Sequence, residues 1–361
     1  MPDTIRPTSG KKRMGIRTLA RELNLSIGTV SRALNDRPDV NEMTRARVKE
    51  AAARCGYVPD QSGRSLRKGR TGIVAAILPA SGIGGQADSG FFRVLEGCRR
   101  RLLRSELDLI VLFRGPEEDP LENLRSIVSR RLADAVIINQ TREDDPRLDY
   151  LRAAGVEHVS LGRGGRYDLG NWVDFDHEAA ASEAARMFLR AGHRDLALVL
   201  SATEMSYEVM LAAAFRTEAM RYGLGPESVR VIRADPEGRL TDEGWALFAS
   251  SRRPTAVLAG HESIAAALYA DLGALGIRPG VDIGLVSASP VIDNASLGHV
   301  LTHFEADLDA TGDALAERIT SLLPEFDEAP KPCAPALIPL TLRRRSSHDG
   351  GIDPRRLAHI A

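Results

Sequence analysis

Only three cysteines occur among 361 residues. Cys55, Cys98 and Cys333 stand far apart, which excludes the CxxC spacing of redox and zinc sites and leaves no even-numbered disulfide framework. A reducing compartment, the cytoplasm, is expected. Long apolar runs are also missing. The longest stretch without a charge, Thr71 to Ala87, is broken by Pro79 and by glycines, and no apolar segment follows the basic N-terminus "MPDTIRPTSGKKRMG". Neither secretion nor a membrane span is expected. Net charge is nearly absent as well, at −1, but it conceals two opposite ends. Residues 1–70 carry 16 Lys and Arg against 7 Asp and Glu, a net of +9, and the rest carries 32 against 42, a net of −10. Only the first segment is built to meet a polyanion, although a solvated basic surface has the same composition.

What is present is ordinary globular material, 43% hydrophobic and long enough for two or three domains. From Met14 to Tyr57 three short segments have helical periodicity: Ile16 to Leu23, Ser26 to Leu34 and Thr44 to Cys55. Ser26 can cap the second and Asn41 the third, and Gly56 stops the third. Residues 60–70 include "DQSGRSLRKGR", with one large apolar residue, Leu66, among polar, glycine and basic ones, the composition of a linker. After Thr71, near-continuous apolar strands alternate with amphipathic helices. The strands are expected at 72–79, 107–113, 133–139, 157–162, 195–201, 229–234, 255–260 and 282–288. Repeated βα units of this kind imply parallel sheets covered on both faces, and their length implies two α/β lobes, with a crossover at Tyr167 to Trp172.

The second helix, "SIGTVSRALN", suits a reader of DNA. A helix-turn-helix lays its second helix in the major groove, where the N-terminal turns meet base edges and phosphates. Ile27, Gly28 and Thr29 are small enough for close approach, Thr29 and Ser31 can bond phosphates, and Arg32 can donate two bonds to guanine O6 and N7. Ser26 starts the helix, and Asn35 ends it or adds a phosphate donor. Val30, Ala33 and Leu34 form the inner face against Leu19, Ala20, Leu23 and Val48. Arg17 on the first helix and Arg64 and Leu66 in the linker complete the expected DNA-binding set.

These residues resemble the headpiece of the LacI/GalR family of bacterial transcription regulators. The marks are Val30-Ser31-Arg32, Asn35, Val40, Thr44-Arg45, Val48, Ala51-Ala52, Gly56-Tyr57 and Pro59, and the resemblance continues with "GHR" at 192–194, "PTAVLAG" at 254–260 and "PLTLRRRS" at 339–346. It implies that residues 61–68 form a hinge helix on DNA, with Leu66 wedged beside its dimer mate into the central minor-groove step. Gly63, where alanine is common, makes that helix more dependent on DNA for order. The resemblance also implies a periplasmic-binding-protein-like body with a small effector between its lobes. Phe175 would stack on the effector, and Arg163 and Asp176 would hold polar groups; packing or an ion pair is the other reading of each.

Several of the family's usual polar residues are replaced. Gly260-His261 stands for the common Asn-Asp, Ser287-Ala288-Ser289-Pro290 for a "GYDD"-like turn, and Leu211 for an arginine in the helix after the fifth strand. A site that hydrogen-bonds sugar hydroxyls loses affinity when its partners vanish. A standard monosaccharide is therefore not expected; His261 or Ser289 is the candidate to recognise something else, and a regulator that binds DNA with no high-affinity effector in its cleft is the other reading.

Two motifs suggest catalysis. Gly82-x-Gly84-x-x-Ala87 follows a strand, as in a dinucleotide fingerprint, but the next strand ends in Phe113-Arg114-Gly115 and carries no terminal acid for a ribose. "HES" at 261–263 has Ala265 where HExxH needs its second histidine. No enzyme, cofactor or metal is expected. The expected organisation is a flexible tail at 1–13, a helix-turn-helix headpiece at 14–59, a hinge at 60–70, a two-lobed α/β effector and dimerisation domain at 71–345, and a tail at 346–361. That tail lacks a leucine heptad, so a homodimer is expected and a tail-mediated tetramer is not. The expected partners are a pseudo-palindromic operator, a second copy of the chain and a small effector of unknown identity.

Overall fold

The computed structural model describes residues 15–34, 36–57, 70–79, 89–115, 118–164, 170–203, 205–288, 295–323 and 334–350. Residues 1–71 and 72–361 form two separate compact units.

The first unit holds α1 (Ile16–Glu22), α2 (Ile27–Leu34) and α3 (Glu42–Arg54). Each is too short to persist alone, so packing decides. Leu19, Ala20, Leu23, Val30, Ala33, Val40, Val48, Ala51 and Ala52 form its buried core, with Leu34 at the margin. Ser26 Oγ accepts from Thr29 N at 3.0 Å and Asn41 Oδ1 from Met43 N at 2.8 Å, capping α2 and α3. Gly56, at φ +61, ends α3 in the left-handed conformation that a side chain disfavours.

In the second unit β1 (Ile73–Pro79), α4 (Ser89–Leu102), β2 (Asp108–Arg114), α5 (Glu122–Arg130), β3 (Ala135–Asn139), α6 (Pro146–Ala153), β4 (Glu157–Leu161) and β5 (Trp172–Phe175) build the first lobe. The second lobe is α7 (His177–Arg190), β6 (Leu196–Leu200), α8 (Ser206–Arg221), β7 (Val229–Arg233), α9 (Asp242–Ala249), β8 (Ala256–Ala259), α10 (Glu262–Ala274), β9 (Gly284–Ser287), α11 (Ala295–Gly298) and β10 (Thr302–Glu305). The chain then returns for α12 (Leu308–Leu322) and β11 (Ala336–Ile338) in the first lobe and β12 (Thr341–Arg343) in the second. The sheets run β11-β5-β4-β3-β1-β2 and β12-β10-β9-β8-β6-β7, and every neighbouring pair is parallel except β10 with β12. Strands such as Ala135–Asn139 and Leu196–Leu200 are buried at every residue, because helices cover both faces of each sheet.

The expected crossover at Tyr167 to Trp172 is corrected. Trp172–Phe175 stays in the first sheet, between β4 and β11, and the chain crosses at Asp176. Val173, Asp174 and Phe175 are all buried, which is the signature of a covered strand rather than a connection. Two further crossings follow, after β10 and between β11 and β12. Residues 346–350, expected in the tail, pack on the second lobe. Ser347 Oγ donates to Leu285 O at 2.6 Å and accepts from Thr302 N at 2.8 Å, and His348 Nδ1 lies 2.8 Å from Thr302 Oγ1.

Helices α4 and α12 approach closely in the first lobe. A methyl on Gly312 would meet the backbone of Val94 and Cys98, with Cys98 N at 2.6 Å. Gly312→Ala is therefore expected to lower stability by about 1–3 kcal/mol through overpacking. Gly273→Ala, where a methyl meets nothing within 4 Å, is expected to hold or raise it; urea midpoints of the two variants check the contrast.

His193 is 2% exposed, with Nδ1 at 3.0 Å from Thr255 Oγ1 and its ring edge-on to Phe188. Burial, and then Arg194, push its pKa down to about 4. An unfolded histidine takes up its proton near pH ~6.5, so this residue's contribution is present above that pH and is lost as the pH falls toward 4. Its size is on the order of 2–3 kcal/mol. Denaturation at pH 7.5 and 4.5 is expected to show a shallower loss for His193→Gln than for the wild type.

Candidate DNA-reading face and effector cleft

Helix α2 is held from behind and presented outward. Arg47 donates to Leu23 O, Arg54 pairs with Glu22 at 2.8 Å, and Lys49 pairs with Asp36 at 2.6 Å, so α3 grips both the turn before α2 and the turn after it. Ile27 is 47% exposed, Gly28, Arg32 and Arg17 are exposed, and Thr29 is half-buried with its hydroxyl 2.8 Å from Ser26 Oγ. Ser31 does not fit the outward role expected of it. It is 6% exposed. Its hydroxyl is therefore withdrawn from the reading face. The Arg32 guanidinium lies back toward the start of the helix, with Nε 3.3 Å from Asp39. Asn35, Arg64 and Leu66 lie outside the described residues.

In the second unit the carboxyl edges of the two sheets face each other. Ser206 N, at the start of α8, donates to Thr141 O, just after β3, at 2.9 Å. A crevice at the carboxyl ends of parallel strands is the usual place for a ligand in such folds.

Arg163 is occupied within the chain. Its Nε donates to Asp174 at 2.8 Å, its Nη1 to Glu178 at 2.9 Å and its Nη2 to the other oxygen of Glu178, and the guanidinium lies 5.6 Å from the centre of the Trp172 ring. These carboxylates outweigh partial burial and raise its pKa further, while Arg163 holds Glu178 below the usual carboxylate range against the opposing effect of burial. Asp176 caps α7, accepting from Ala179 N at 2.9 Å. Phe175 is 7% exposed and packs in the first lobe's core, edge-on to His177. His261 caps α10, its Nδ1 3.2 Å from Ser263 N and 2.9 Å from Ser263 Oγ. Leu211, in place of the expected arginine, is fully buried in the second lobe's core. Ser289 and the glycine motif at 82–87 lie outside the described residues.

Other groups carry the open polar chemistry. Asn139, at the carboxyl end of β3, is 3% exposed, and neither its Oδ1 nor its Nδ2 has a hydrogen-bond partner. Ser206 Oγ and His177 Nδ1 are buried without a partner as well. The His177 ring lies tilted at 4.8 Å from that of Tyr207, with Nε2 3.8 Å from Asp174, and burial lowers its pKa. Buried polar atoms are normally bonded, so orphaned ones at a crevice mark where a ligand or water completes the set. Asn139 is legible in the sequence only as the polar residue that ends an apolar strand. Glu208 is fully buried and accepts from Ser201 N at 2.7 Å, Ser201 Oγ at 2.9 Å and Arg233 at 3.1 Å, while burial raises its pKa. Among the described residues no three His, Cys, Asp or Glu side chains are grouped to hold a metal ion, and no helix is long and apolar enough to cross a membrane.

Comparison with known proteins matches both units. The lacI-family profile of bacterial regulatory proteins covers residues 16–60, and the periplasmic binding protein-like domain covers residues 185–348. The HTH-type transcriptional regulator RafR of Escherichia coli is 32% identical over 220 residues, which are 61% of this chain and 65% of that protein, just under two thirds of its length. The HTH-type transcriptional regulator AglR of Rhizobium meliloti (strain 1021) is 29% identical over 319 residues, 85% of this chain and 87% of that one. A lac repressor dimer, solved bound to operator and the anti-inducer ONPF, shares the fold with a TM-score of 0.76 at 20% identity, covering 93% of this chain and 99% of that one. The chain thus joins a helix-turn-helix of the lacI family of bacterial regulatory proteins to a periplasmic binding protein-like domain, the arrangement it shares with these transcriptional regulators.

Proposed function

We propose that the protein is a cytoplasmic, homodimeric repressor that binds a pseudo-palindromic operator and changes its hold on that DNA when a small molecule enters the cleft between its lobes. Two half-sites about one helical turn apart match such a dimer. The observation that carries the reading is the outer face of α2, where Ile27, Gly28 and Arg32 are exposed on a helix whose other side is fully packed. Ile27 can touch a thymine methyl, Thr29 a phosphate, and Arg32 a guanine. Arg17 adds a phosphate contact, as would Asn35 and Arg64, with Leu66 as the minor-groove wedge.

The effector side rests on the orphaned atoms of Asn139, Ser206 and His177 at the facing sheet edges. Phe175, Arg163, Asp176 and His261 would serve there as positioning and contact groups, as would Ser289. If one ligand state favours an arrangement unable to grip DNA, operator binding must weaken effector binding by the same factor. The protein acts on this reading by binding, with no catalytic step, cofactor or metal.

Arg32→Ala is expected to abolish preference for the selected operator while leaving the dimer intact. Titration against operator and unrelated duplex at one fixed salt concentration checks this, and equal preference in variant and wild type would sink it. On the effector side, the full chain is expected to gain thermal stability with one class among saccharides, nucleosides and organic acids, by about 2.7 kcal/mol at a hundredfold excess over Kd. Asn139→Ala should remove that gain. A screen in which no class raises the melting midpoint overturns the effector half of the proposal.

A further inference from the structure

An acidic side chain beside a helix that meets phosphates costs affinity for any DNA, so its presence in a segment of net charge +9 calls for a compensating role. Asp39 is such a residue. Its carboxylate is exposed and lies 3.3 Å from Arg32 Nε. It is also fixed in place. Val40, beside it, is buried in the headpiece core, and Arg45 Nη2 donates at 3.0 Å to the carbonyls of both Arg37 and Val40, which bracket it. Arg37 N closes the start of the same turn onto Arg32 O at 3.1 Å.

The other end of the guanidinium is placed as well. Arg32 stands one helical turn after Gly28 on the same face, and helical side chains lean toward the N-terminus. A methyl at Gly28 would lie 3.8 Å from Nη1 and 3.9 Å from Nη2. A longer side chain there would compete for the space that the guanidinium occupies. With Nε 3.3 Å from the Asp39 carboxylate in an exposed ion pair, the Nη1 and Nη2 pair remains as a planar fork over the first turn of α2, the part of a reading helix that meets base edges. Two parallel donors are what guanine O6 and N7 accept.

We propose that Asp39 is a positioning residue for DNA reading, holding Arg32 by Nε so that its two terminal nitrogens, over the bare backbone of Gly28, present a fork to one guanine. This rests on the DNA-reading function proposed above.

The test selects bound sequences from a pool of randomised duplexes with the full-length wild type, Arg32→Ala, Asp39→Ala and the double variant. The position whose guanine preference disappears in Arg32→Ala is the one that Arg32 reads. At that position Asp39→Ala is expected to lower guanine preference about tenfold, the scale of one bidentate contact, while binding to unrelated DNA tightens as a negative charge is removed. In the Arg32→Ala background the Asp39 substitution should change that preference no further. If Asp39→Ala tightens binding to all sequences alike and leaves the guanine preference intact, the carboxylate is only a background charge and the proposal is overturned. If the wild type enriches no sequence, the DNA-reading function itself falls, and this inference with it.

Discussion

One chain passes three times between two parallel sheets whose carboxyl edges face each other. The passages are short: Asp176 after β5, the pair 306–307 after β10, and Pro339-Leu340 between β11 and β12. Short parallel connections allow rotation of one lobe against the other and forbid their separation, which is the geometry of a hinge. The passages are also reinforced. Arg163 ties the loop after β4 to Glu178 in the first turn of α7, across the first passage, and Leu340 in the third packs against the cores of both lobes. Thr141 and Ser206 join the two facing edges directly. A small molecule placed there changes the relative stability of lobe arrangements only through contacts that differ between them, and the orphaned atoms of Asn139 and Ser206 stand on opposite sides.

The strands legible in the sequence are those buried on both faces. "AVIIN" and "LALVL" admit no other reading once helical stretches flank them, and the observed ends fall within about two residues of the expected ones, the usual scatter of element boundaries. Thr302–Glu305, Ala336–Ile338 and Thr341–Arg343 were not legible. They are three or four residues long, the first and third carry His, Glu, Thr or Arg, and all three owe their conformation to pairing with strands already in place. The crossover was misplaced for a related reason. Glycines at 164, 165 and 170 punctuate the sequence before Trp172, whereas the passage itself is a single aspartate serving as a helix cap.

For the reading helix, periodicity identified the buried side and the caps but not the flanks. Ser31 has the chemistry of a phosphate contact, yet it is buried in the folded headpiece. Arg32 was identifiable by type and place, whereas its partner Asp39 reads from sequence as an ordinary turn residue, because the pairing is made by the fold of residues 36–40 against α3. In the cleft, the charged residues that attracted attention are largely committed to one another or to helix caps. The atoms left open belong to residues, Asn139, Ser206 and His177, whose types are common in structural roles and whose isolation shows only in three dimensions.

The second lobe departs from the family pattern at positions 211, 260 and 261. A side chain at position 260 would begin 2.8 Å from Leu200 Cδ2, so Leu200 would have to turn aside for the asparagine common there, while Glu208 Oε1 at 3.5 Å would be in ordinary contact with it. Glu208 borders that position with a carboxylate satisfied by Ser201 and Arg233. Leu211, one turn further along α8, is sunk in the core, so no guanidinium extends from that position into the cleft. On this wall of the cleft the buried charge of Glu208 is compensated internally by Ser201 and Arg233. Asn139, across the cleft, keeps the largest share of unspent hydrogen-bonding capacity among the described groups.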